Sequence, residues 1–192
     1  MANTGYSLIE LLLVLSTVAT VGAMAVPPFF AAIDEYRTAG AVRYISTRIQ
    51  RTRMEAVNRS TNAAMQFVSV GTGYSFSIYV DGNGDGVRTA DIKNGIDRRL
   101  GEVERLPDNF AGVDFGVLPA LPPVDSDSPP PGTDPIKLGS STLLSYSSTG
   151  TSSSGSVFVR GRRVQYVIRI LGDTGRTRLL KFDAQSGQWK AL

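Results

Sequence analysis

Residues 5–28 read Gly5-Tyr6-Ser7-Leu8-Ile9-Glu10-Leu11-Leu12-Leu13-Val14-Leu15-Ser16-Thr17-Val18-Ala19-Thr20-Val21-Gly22-Ala23-Met24-Ala25-Val26-Pro27-Pro28. Between Leu8 and Val26 the only charged residue is Glu10. At about 1.5 Å of rise per residue, this run approaches the roughly 20 residues that a membrane-spanning helix needs. A carboxylate inside a bilayer costs about 2.5–3.5 kcal/mol on insertion scales, so an acid in such a run calls for a partner group. Pro27 and Pro28 lack amide donors and their rings crowd the preceding turn, which predicts a kink or a gap in the helix hydrogen bonding there. Two other readings stay open on these residues alone. One is a secretory signal with Ala23-Met24-Ala25 as its cleavage site, and the other is an ordinary single-pass anchor.

Downstream, Val42, Ile45, Ile49 and Ala56 are spaced three, four and seven apart, the stripe of an amphipathic helix over 33–62. Arg37, Arg43, Arg48, Arg51, Arg53 and Arg59 occupy the rest of it and read as a solvated face. After Thr61 the period changes to two. Ala64 to Val68 and Tyr74 to Val80, joined by Gly71-Thr72-Gly73, predict a hairpin. Arg98 to Glu104 predicts a short strand anchored by Ile96, Leu100 and Val103. Ala120 to Pro135 crowds prolines among Asp and Ser and reads as a polyproline-like loop or a flexible edge. Ser140 to Ser156 predicts a strand around Leu143, Leu144 and Tyr146 that leads into a turn. Three strands are expected at Val157 to Arg160, Val164 to Leu171 and Thr177 to Phe182. The fold class is therefore α+β: a long N-terminal helix, its first half transmembrane, packed on an antiparallel β-sheet domain.

The 192 residues contain no cysteine and no histidine. That removes thiolate chemistry, disulfides, histidine-based triads and the usual zinc ligand sets, and with them most hydrolytic designs. The reading is non-enzymatic. With 6–32 committed to the apolar helix, 33–192 suffices for one exported globular domain, β-rich over 63–192. The formal charge of +3 is unevenly placed: Val157 to Leu192 holds eight Lys or Arg against two Asp.

Gly5, Tyr6, Glu10 and Pro27 at these spacings resemble the N-terminus of the type IV pilin and type II secretion pseudopilin superfamily. The resemblance implies a leader at 1–5 cut after Gly5 by prepilin peptidase, and methylation of the new first residue, Tyr6. It implies that Glu10 neutralises the amine of an adjacent subunit during assembly and that Pro27 kinks the helix. The family usually has Phe where Tyr6 stands and basic residues in the leader, which Met1 to Gly5 lack. Tyr146 to Gly150, Ser153 to Ser156 and Gly175-Arg176-Thr177-Arg178 are similar to the GspH/FimT branch. Partners implied are the inner membrane, prepilin peptidase and other pilins in a pilus or pseudopilus, with the globular domain on the periplasmic side.

Two candidate sites follow. Gly175 to Arg178 is similar to a Gly-Arg-x-Arg motif associated with double-stranded DNA binding in FimT-type minor pilins. Arg176 and Arg178, two apart on a strand, share a face and suit phosphate oxygens, and Arg160, Arg162 and Arg163 are expected to widen the patch. Against this, Gly175 serves as a turn residue and the arginines as solubilising charges on an edge strand, Arg178 shares parity with Leu180 and Phe182 and on a regular strand without a bulge points toward the core side, and a similar Gly-Arg-x-Arg occurs among secretion pseudopilins with no known DNA role. The second candidate is Asp81-Gly82-Asn83-Gly84-Asp85-Gly86, with Asp81, Asn83 and Asp85 at the first, third and fifth positions of a calcium loop. Its twelfth position is Ile92 rather than Glu, and the favoured reading is an Asx and glycine turn without an ion. No other cofactor is implied.

Overall fold

A computed structural model describes residues 5–126, 128–139 and 141–192, the side chain of Pro27 apart. Residues 1–4 of the expected leader, Asp127 in the Pro-rich segment and Ser140 lie outside the described residues.

Helix α1 (Leu8–Arg59) is one continuous element of 52 residues, about 78 Å at 1.5 Å per residue. Positions 27 and 28 are helical, so the prolines do not divide it. Its first half stands free: Leu8, Ile9, Leu13, Val21, Phe29 and Phe30 are all exposed. Thr38, Ala41, Val42, Ile45, Ile49, Thr52 and Ala56, which line one face of the helix, are fully buried. The helix ends at Ser60, whose left-handed backbone returns its N–H to the Ala56 and Val57 carbonyls.

Strands β1 (Ala63–Val70) and β2 (Gly73–Val80) form the expected hairpin, with Val70 opposite Gly73. A short helix α2 (Thr89–Lys93) precedes β3 (Arg98–Arg105), which pairs with β2 across a register shift at Phe76/Ile78. Of the three residues expected to anchor β3, only Leu100 packs on the core; Ile96 and Val103 are exposed. Helix α3 (Leu106–Asn109) leads to β4 (Asp114–Phe115), then β5 (Ile136–Lys137), β6 (Leu143–Tyr146), β7 (Gly155–Arg160), β8 (Gln165–Leu171), β9 (Arg176–Asp183) and β10 (Gln188–Ala191).

The strands make two antiparallel sheets rather than one: β3-β2-β1-β6, and β10-β9-β8-β7-β4 with β5 also on β7. Both turn one face to α1. Phe67, Phe76, Leu144 and Tyr146 from the first sheet and Val157, Val159, Tyr166, Ile168 and Ile170 from the second close over the helix stripe in a single core. Each sheet carries a smaller cluster on its other face: Ala64, Val87 and Leu143 on the first, Phe158, Val167 and Leu180 on the second.

The Pro-rich segment, expected as a loop or a flexible edge, is a loop seated on the outer face of the second sheet. Leu121 is buried, Val124 packs on the Phe158 cluster, and Pro122 O accepts the Trp189 indole N–H at 3.2 Å. Asp125 pairs with Arg169 at 2.9 Å.

Candidate functional site

The free half of α1 begins at Ser7, the residue flanking the first helical turn. Glu10 folds back so that its carboxylate accepts the Ser7 N–H at 2.8 Å, satisfying one of the amides that the helix start leaves open. The acid thus sits four residues from Tyr6, on the first turn, with no cation beside it among the described residues. Ser16, Thr17 and Thr20 turn their hydroxyls onto carbonyls of the preceding turn, which satisfies these three donors within the helix. By length and composition α1 is able to cross a membrane.

The arginines fall into two separate groups. Arg162 and Arg163 sit in the β7–β8 turn, where their backbone N–H groups donate to the Asp34 carboxylate at 2.9 and 3.0 Å. Gly161 permits this approach, since a Cβ there would stand 2.5 Å from Asp34 Oδ1. Arg176 and Arg178 start β9 at the other end of the sheet, where the Gly175 turn meets Arg53, nineteen residues further along α1 and about 28 Å away. Register tells the same story. Arg178 lies opposite Arg169 and Arg169 opposite Ser156, so Arg160 is two strands across and four residues along, about 17 Å from Arg178. The structure does not join Arg160, Arg162 and Arg163 to the Arg176–Arg178 pair.

Arg178 does share parity with Leu180, but that face is the outer one. Thr177 and Leu179 turn toward the helix, where Thr177 meets Gln50. Arg176 and Arg178 are both exposed, and among the described residues no side chain binds either guanidinium. Gly175 has a structural duty of its own: its φ is +61°, and a Cβ there would stand 2.3 Å from Gly150 O and 3.1 Å from Tyr146 Cε1. The Tyr146–Gly150 and Gly175–Arg178 segments therefore pack together, and Arg53 Nε donates to Gly150 O at 3.1 Å to tie both to α1. Beneath them burial pushes the Tyr146 phenol up to about 12, with a smaller opposing pull from Ser152 and Arg53.

The Asp81 loop closes on itself. Asp81 Oδ1 accepts the N–H groups of Asn83 and Gly84 at 3.1 and 2.7 Å, and Oδ2 accepts Gly86 N–H and Asn62 Nδ2 at 2.8 and 2.9 Å. Burial alone would raise its carboxyl pKa, yet these bonds outweigh it and hold the group below its ordinary value. Asp85 pairs with Arg88 at 2.8 Å. Asp97, 3% exposed, clasps both ends of the loop by accepting Gly82 N–H and Arg88 N–H. No cluster of three or more acids suited to a metal occurs among the described residues.

Asp34, Asp97 and the Arg169–Asp125 pair carry long-range contacts that no local motif announces. Only the Asp34-Glu35 pair ahead of the helix stripe and the one arginine interrupting the apolar β8 marked them in sequence. No family model, no curated protein and no solved structure matches this chain.

Proposed function

We propose that this chain is a minor pilin or pseudopilin subunit, a non-enzymatic protein held in the inner membrane by 8–26, cut after Gly5, methylated at Tyr6 and drawn into a filament. The observation that carries this reading is the division of α1. One helix is buried in its own domain over its second half and presents bare leucines and valines over its first, with Glu10 the sole charge there. A secretory signal has no reason to continue unbroken into the core helix of the mature domain. An ordinary anchor with Glu10 near the interface leaves the spacing of Gly5, Tyr6 and Glu10 without a reason. In a filament the apolar halves bury one another as they leave lipid, and Glu10 meets the Tyr6 amine of a neighbour, which sets the axial register.

The intact mass and first residue of the membrane-extracted protein test the processing. Tyr6 bearing one methyl is expected; Val26 means a secreted domain and Met1 a plain anchor. Glu10→Gln is expected to insert in the membrane yet fail to join filaments, and normal incorporation of that variant overturns the scheme.

Within this reading the C-terminal sheet favours contact with double-stranded DNA, because Arg176 and Arg178 lie exposed on one face with no protein counter-ion among the described residues. Such contacts hold phosphates without reading sequence and weaken steeply with salt. The alternative is a structural type II secretion pseudopilin that binds no DNA. A salt-titrated gel shift of the full chain in neutral detergent separates them. Binding lost in Arg176→Ala with Arg178→Ala supports the receptor, and no binding at low salt leaves the structural subunit.

A further inference from the structure

The outer face of the second sheet holds a third arginine. Arg169 on β8 lies directly opposite Arg178 on β9, with Leu171 opposite Arg176 one step further along. Like charges facing each other across an antiparallel pair repel, and a sheet tolerates them where a counter-ion is at hand. Here the counter-ion comes from the Pro-rich segment. Asp125 Oδ2 lies 2.9 Å from Arg169 Nη2, while Nη1 donates to Ser156 Oγ at 3.3 Å. The third nitrogen of that guanidinium, Nε, is buried and has no hydrogen-bond partner among the described residues. An arginine cannot shed its proton, and a buried donor left unmade is costly, so the closed arrangement leaves Arg169 incompletely satisfied.

We propose that Arg169 is a phosphate contact of this face and that Asp125 is its built-in competitor, so that DNA binding requires the carboxylate of the Pro-rich segment to give way. This rests on the DNA-contact reading above. A phosphate placed between Arg169 and Arg178 relieves their repulsion and offers oxygens enough for both forks, which a single carboxylate on one of them does not. The exchange lowers net affinity, because freeing Asp125 returns a negative charge to solvent beside the bound strand. It also flattens the salt dependence, since the freed acid takes up a cation while the phosphate releases one.

The test uses the full chain in neutral detergent with a duplex of arbitrary sequence, titrated across salt by fluorescence anisotropy. Asp125→Asn keeps the shape of the side chain and removes its charge. It is expected to bind roughly threefold to fivefold more tightly at low salt and to steepen the slope of log K against log salt by about 0.9. Glu102→Gln, exposed on β3 of the other sheet, makes the same change in net charge and is expected to match the parent in slope. Adding Arg169→Gln to Asp125→Asn is expected to abolish the gain. If the parent binds DNA and Asp125→Asn behaves as Glu102→Gln does, the competitor is overturned while the DNA reading stands. If neither the parent nor Asp125→Asn binds at low salt, both fall together.

Discussion

Replacing Asp81 by alanine removes an acceptor that four donors share. Asn83, Gly84 and Gly86 lose the partners of their backbone N–H groups, and Asn62 Nδ2 loses its own. A hydrogen bond to a charged group contributes about 1.5–3 kcal/mol where water is excluded. Asp81 itself is 7% exposed, but residues 82–85 face solvent and their amides regain water, so the sum is well below four full bonds. A loss of about 3 kcal/mol follows, which for a domain of this size lowers Tm by about 6–12 °C. Asp81→Asn is expected to do nearly as much harm, because its amide nitrogen meets two donors where an oxygen accepted them. Ionisation matters for the same reason. With the folded carboxyl below its ordinary value, the contribution is complete above the unfolded pKa of about 3.9 and disappears as pH falls through the lower folded value. Thermal melts of the full chain in detergent, with and without millimolar calcium, measure all of this. A drop under about 2 °C in Asp81→Ala refutes the hydrogen-bond account. A calcium-induced rise in Tm that Asp81→Ala abolishes refutes the ion-free turn.

Gly71 and Gly175 share a φ of +61°, yet only Gly175 has atoms within 4 Å of its missing Cβ. Gly71→Ala is expected to cost only the left-handed backbone, about 1–2 kcal/mol, and Gly175→Ala clearly more, because Gly150 O must move; equal melting temperatures would contradict the packed turn. Tyr146, 1% exposed with its phenol raised to about 12, stays protonated in the fold while an unfolded tyrosine ionises near 10. Its contribution is therefore complete below about pH 10 and is lost as pH rises toward 12, so alkaline melts of the parent are expected to fall more steeply than those of Tyr146→Phe.

The local features were legible because their physics is local. An apolar run reads as a bare helix whatever follows it, the Val42-Ile45-Ile49 spacing fixes a buried stripe, and the Val70–Gly73 turn closes a hairpin between neighbours in sequence. Strand β10 escaped notice because Gln188–Ala191 has one large apolar side chain, Trp189, which finds its place only against Phe158 and Phe182. The Pro-rich segment carries no repeating pattern, yet its seat depends on Trp189 and Arg169, more than forty residues downstream.

For the candidate site the division is sharper. Residue types and spacing by themselves determined the apolar helix with its lone acid, the α+β order and the pairing of Arg176 with Arg178 on one strand face. Tertiary structure alone decided that the strands part into two sheets, that Arg160, Arg162 and Arg163 end up at the far end from that pair, and that Arg169 stands beside it under the charge of Asp125. Periodicity tells which side chains share a face of one strand, whereas strand order and register decide which strands that face adjoins, and those are set by distant backbone pairing and by what packs on the helix.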